Sequence, residues 1–167
     1  MQSYLSLAKA DFGLLAISFF PFPDWKKRCC WIIIKEKKES IMLIAYESKK
    51  SIEELRKALE ANAIEKNFGV MAVHDISKTL ENKGFALHYP CLILEICSPR
   101  FAQQVLEQNP EVSTALPCRI ALYEYKSHRI VATLSPRKTI ELFKAPGLHK
   151  VAEEVENILK EIMQKSV

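Results

Sequence analysis

The seven residues Cys91-Leu-Ile-Leu-Glu-Ile-Cys97 limit the folds open to this chain more than any other segment. Read as a strand with a period of two, they put Cys91, Ile93, Glu95 and Cys97 on one face and Leu92, Leu94 and Ile96 on the other. The second face is wholly aliphatic and belongs against helices. Ser98-Pro99 follows at once. Serine is a preferred N-cap residue and proline suits the first helical position, so a helix is predicted from there through Phe101, Ala102, Val105 and Leu106 until Asn109-Pro110 ends it. The strand therefore hands over directly to a helix, with Cys97 at the junction.

The other elements follow from the same kind of pattern. Leu43 to Tyr46 reads as a strand. Ser51-Ile52-Glu53-Glu54 has the form of a capping box, and Ile52, Leu55, Leu59 and Ala63 recur at helical spacing, which predicts a helix to about Asn67 that Gly69 stops. Val70 to Ile76 reads as a strand and Ser77 to Lys83 as a short helical connection closed by Gly84. Cys118 to Tyr125 and Ile130 to Leu134 make a hairpin across Lys126-Ser-His-Arg129. Ser135-Pro136 opens a short helix, and Leu148, Val151, Val155, Ile158 and Ile162 form one stripe of a final helix. Helices gathered on one face of a mostly antiparallel sheet give an α+β fold in a single domain over residues 42–167.

The 167 residues carry a net charge of +4, unevenly placed. Residues 1–41 hold seven Lys/Arg against four Asp/Glu, leaving 17 against 16 for the remainder. A body so near neutrality does not suit nucleic acid as a partner. The apolar run Gly13 to Phe20 stops at Pro21, too short to span a bilayer, and a membrane is not an expected partner either. Its flanks also lack the order of a secretory signal. Cysteines 29, 30, 91, 97 and 118 are odd in number and fit no disulfide framework or zinc-finger spacing, as for reduced thiols in the cytoplasm.

The first 41 residues hold seven of the fifteen aromatics and show no clear period. Lys38-Glu39 can be encoded by a purine run of the kind ribosomes bind, and a strand opens directly after Met42. The expectation is a start at Met42, with residues 1–41 a leader of doubtful authenticity.

Candidate chemistry gathers at two cysteines. Cys97 lies just before a helix N-terminus, where amide groups favour a thiolate, and Glu95 on the same strand face opposes that unless it acts as a base. Cys118 follows Pro117 at a strand start. Its neighbour Arg119 points to the opposite face and can meet Glu95 or a bound anion. His74 shares a face with Val70, Ala72 and Ile76, which reads as a hydrogen-bonded core histidine or a ligand contact. His74, Cys97 and Cys118 have metal-ligating chemistry but no supporting spacing, so no metal and no cofactor is expected.

Four segments together, Phe68-Gly-Val-Met-Ala-Val-His-Asp75, Leu94-Glu-Ile-Cys-Ser-Pro99, Ala115-Leu-Pro-Cys-Arg-Ile120 and Val151-Ala-Glu-Glu-Val-Glu156, resemble the domain-of-unknown-function 302 family over nearly all of residues 42–167. The resemblance implies a TATA-binding-protein-like α/β fold, commonly dimeric, with no established activity. This chain departs from the family at Ser98, where Asn is frequent, and residues 1–41 have no counterpart there.

Three functions follow as expectations. The first is a small polar or anionic ligand bound near Glu95, Cys97 and Arg119, with Ser98 and His74 as further contacts. The second is thiol or sulfur chemistry at Cys97 with Cys118 as its resolving partner. The third is a homodimer made through the sheet face without chemistry.

Overall fold

The computed structural model describes residues 42–167. The expected leader, with Cys29, Cys30 and both tryptophans, lies outside the described residues. In chain order the elements are β1 (Leu43–Ser48), α1 (Ile52–Glu65), β2 (Gly69–Asp75), α2 (Ile76–Glu81), β3 (Cys91–Cys97), α3 (Pro99–Gln108), a 3-10 segment (Pro110–Ala115), β4 (Cys118–Tyr125), β5 (His128–Leu134), α4 (Pro136–Glu141), a second 3-10 segment (Pro146–Leu148) and α5 (His149–Ser166). The strands form one sheet in the order β1-β5-β4-β3-β2, every neighbouring pair antiparallel.

Parity sorts the sheet into two faces, as the β3 pattern requires. Leu94 and Ile96 of β3, Ile120 and Leu122 of β4 and Val131 of β5 are all 1% exposed or less and form the core with Leu55 and Leu59 of α1 and Leu159, Ile162 and Met163 of α5. Each such side chain contributes roughly 1.5–3 kcal/mol on burial. On the second face a row runs Ala45, Ala132, Ala121, Ile93 and His74 across all five strands. Ala132 and Ile130 are buried there and stand outside the helix-side core.

Local departures have local causes. The capping box on α1 forms, but the helix ends at Lys66, and Asn67, not Gly69, takes the left-handed turn (φ 59°) while Gly69 opens β2. Asp75 caps α2 by accepting from the Lys78 amide, so Ile76 is helical rather than the end of a strand. The hairpin between β4 and β5 is tighter than expected. Lys126 and Ser127 both adopt positive φ (51° and 67°), the two-residue turn whose twist matches its strands, without the Asn-Gly signal that would announce it. In β2 the register slips between Val70 and Ala72. That bulge puts Val70 opposite Ile96 on the helix side and Ala72 and His74 on the other, so His74 does not share a face with Val70.

Candidate functional site

The residues singled out in the sequence fall into two neighbourhoods. Glu95 and Arg119 are directly opposite one another on β3 and β4. On the face away from the helices, the Arg119 Nε donates to Glu95 Oε1 at 3.1 Å and His74 Nε2 lies 3.6 Å from Glu95 Oε2. The hydrogen bond from Arg119 is the main reason the Glu95 carboxyl sits below its ordinary value, with burial opposing and His74 assisting. Glu95 is thus a carboxylate held by two basic side chains. His74 is about half exposed, so it is not the core histidine that apolar neighbours suggested, because the bulge in β2 turned its face outward.

The second neighbourhood is a cavity of about 380 Å³ at the end of the sheet where β3 stops, β4 starts and β5 stops. Cys97, Ser98, Cys118 and Arg119 all line it, and Glu95 and His74 do not. Its walls come from Phe101, Ala102 and Val105 of α3, the segment Thr114 to Pro117, Thr139 and Ile140 of α4, Phe143, and Val151, Ala152 and Val155 of α5. Leu134 and Leu142, 56% and 70% exposed, stand where it meets solvent. The Leu116–Pro117 peptide is cis. Arg119 joins the two neighbourhoods, its carbonyl accepting from Thr133 Oγ1 at 2.7 Å while its guanidinium turns to Glu95.

The thiols differ from the sequence expectation. Burial pushes Cys97 above its ordinary value. At Cys118 burial, with a smaller push from the neighbouring charge of Cys97, raises the thiol to about 11. Both are neutral thiols at pH 7, because desolvation penalises the charged form. Ser98 occupies the N-cap position of α3 as expected, but its side chain makes no cap hydrogen bond. Ser98 therefore does not cap α3 through its side chain, and burial works against a thiolate at both cysteines.

Two features escaped the sequence reading. One is the cavity, assembled from six separate segments with no motif in common. The other is Glu156, on the buried stripe of α5 and only 5% exposed. Burial alone would raise its carboxyl, but bonds from Lys160 Nζ at 2.7 Å and from Ser135 more than offset this and leave it below its ordinary value.

Among the described residues no group of three or more His, Cys, Asp or Glu is placed to hold a metal ion. No helix among them is long and apolar enough to cross a membrane.

Compared with known proteins, the chain has no match among curated sequences. Among solved structures it is similar to that of an uncharacterized conserved protein DUF302 from Bacillus stearothermophilus, at 24% identity and a TM-score of 0.73, covering 75% of this chain and 98% of that one. At that identity the likeness is one of fold. It agrees with the antiparallel sheet and helices described above. A family profile matches residues 44–166, which takes in every element from β1 to α5, and the chain belongs to that family, the domain of unknown function DUF302.

Proposed function

We propose that residues 42–167 are a binding module that takes one small molecule into the cavity between α3, α4, α5 and the sheet end. The observation that carries this is the cavity itself. Protein interiors are packed with few voids larger than a water molecule, and about 380 Å³ lies in the range of small-molecule sites. Mostly apolar walls with a few polar groups at one side are the usual make-up of such sites. The cavity differs from the pocket expected on the sheet face near Glu95, Cys97 and Arg119: it shares Cys97 and Arg119 with it, while Glu95 lies outside and holds the guanidinium of Arg119. Cys97 and Cys118 enter as neutral, polarizable wall groups rather than as nucleophiles.

Indole, a small apolar probe, tests this by two-dimensional amide NMR. It is expected to give saturable shifts at the amides of Ala102, Cys118 and Ala152, and the cavity-filling substitution Ala102→Phe is expected to remove them while unfolding stays cooperative. Shifts that fail to appear, or that persist in Ala102→Phe, defeat the proposal.

A further inference from the structure

We infer that the ligand of this cavity is an uncharged, predominantly apolar small molecule, presenting at most one neutral polar group to the side where Cys97, Ser98 and Cys118 meet. The inference rests on the cavity being the binding site and goes further by fixing the charge and polarity of what enters.

Charge follows from the walls. Among the described residues Arg119 is the one charged residue lining the cavity, and its side chain is 65% exposed and already bonded to Glu95. An ion taken inside would leave water without gaining a partner, which is strongly unfavourable. The hydroxyl protons of the lining threonines are committed as well. Thr133 Oγ1 donates to the Arg119 carbonyl at 2.7 Å, Thr139 Oγ1 to the Ser135 carbonyl at 2.9 Å and Thr114 Oγ1 to the Glu111 carbonyl at 2.9 Å. These groups present carbon to a ligand more than they present hydrogen bonds. What remains is the Ser98 hydroxyl, free of any cap bond, and two protonated thiols, a set suited to a neutral hydroxyl or carbonyl.

One feature favours an anion instead, the amide groups at the start of α3. Pro99 has no amide proton, however, and neither it nor Arg100 lines the cavity, so the first residues of that turn are not aimed at a ligand there. The walls therefore decide. Leu134 and Leu142, exposed at the mouth, extend the apolar surface outward along the path a hydrophobic molecule would enter.

Three probes with one chain and different heads, 1-octanol, octanoate and octylammonium, separate the alternatives in amide NMR titrations at pH 7 of the full chain and of Ala102→Phe. The expected result is saturable binding of 1-octanol at the Ala102, Cys118 and Ala152 amides, tighter than either ion by about tenfold or more, and lost in Ala102→Phe. Octanoate or octylammonium binding as tightly as 1-octanol at those amides would overturn the inference about charge while leaving the cavity as a binding site. Retention of 1-octanol binding in Ala102→Phe places the chain elsewhere and overturns it too. If neither these probes nor indole perturbs the cavity amides, the inference falls together with the binding module.

Discussion

Cys97 and Cys118 show how far a residue's role can be read from its neighbours in sequence. Parity along β3 and β4 was legible: Cys118 faces the helices with Ile120, and Arg119 faces away and meets Glu95. What was not legible is the surroundings of a strand end, because the cavity that Cys118 lines is walled by side chains of separate helices that periodicity along β4 does not report. Desolvation then dominates at Cys118, and Arg119 turns its guanidinium to Glu95 on the other face of the sheet, away from the thiol. A pKa raised to about 11 leaves about one Cys118 in ten thousand as thiolate at pH 7. Alkylation by iodoacetamide, followed by peptide mass spectrometry across pH, should therefore be slow at Cys118 and keep accelerating until the pH approaches about 11, with Cys97 reaching its plateau earlier. A Cys118 plateau below pH 8.5 would restore the resolving-partner role expected from sequence.

Three helices preceded by serine make the same point for elements. The sequence reads Ser51-Ile52-Glu53-Glu54 as a capping box and Ser98-Pro99 and Ser135-Pro136 as plain serine starts, the last two indistinguishable by motif. In α1 the capping box is complete: Ser51 Oγ accepts from the Glu54 amide at 3.3 Å and the Ser51 amide donates to Glu54 Oε2 at 2.7 Å. At α4, Ser135 accepts from the Lys138 amide at 3.2 Å and also donates to the buried Glu156, whose carboxylate takes further bonds from Lys160 and the Arg137 amide. Ser98 makes no cap bond. Capping boxes are local and can be read within four residues. The Ser135–Glu156 contact spans two helices and cannot. Urea denaturation should rank the alanine substitutions accordingly: Ser98→Ala within about 0.5 kcal/mol of the parent, Ser51→Ala about 1 kcal/mol less stable, and Ser135→Ala about 2–3 kcal/mol less stable, because it also deprives a buried carboxylate of a donor. Equal losses at Ser98 and Ser135 would mean that the link from α5 to α4 carries no weight.

Among the described residues, one end of the sheet lies under α1 and the C-terminal half of α5 and the other borders the cavity. The α+β class and the order of elements could be read from periodicity, but the strand order could not, since the pairing of β1 with β5 joins segments more than eighty residues apart and has no local signal. That pairing sets β4 at the centre and sends the ends of β3, β4 and β5 to one side, where the cavity lies. Where α1 and the C-terminal half of α5 cover the sheet, Leu55, Leu59, Leu159, Ile162 and Met163 are all 1% exposed or less. Around the cavity, Phe68 and Leu148 are equally buried but Phe101, Val105, Val151 and Val155 are between 5% and 8% exposed, and α4 is one short helix whose N-terminus is tied to Glu156. Elements with fewer packed partners open at lower free energy than the centre of a core. Native-state hydrogen exchange should therefore find the slowest amides in β3, β4 and the second half of α5, and clearly faster ones in α4 and in the 3-10 segment Pro110–Ala115. A ligand seated in the cavity contacts both layers at once, so it should slow exchange in α4 and α3 more than in α2, which lines no part of the cavity and follows the opposite end of the strands. Uniform slowing, or none, would show that the hollow end is as firmly packed as the rest and that occupancy does not brace it.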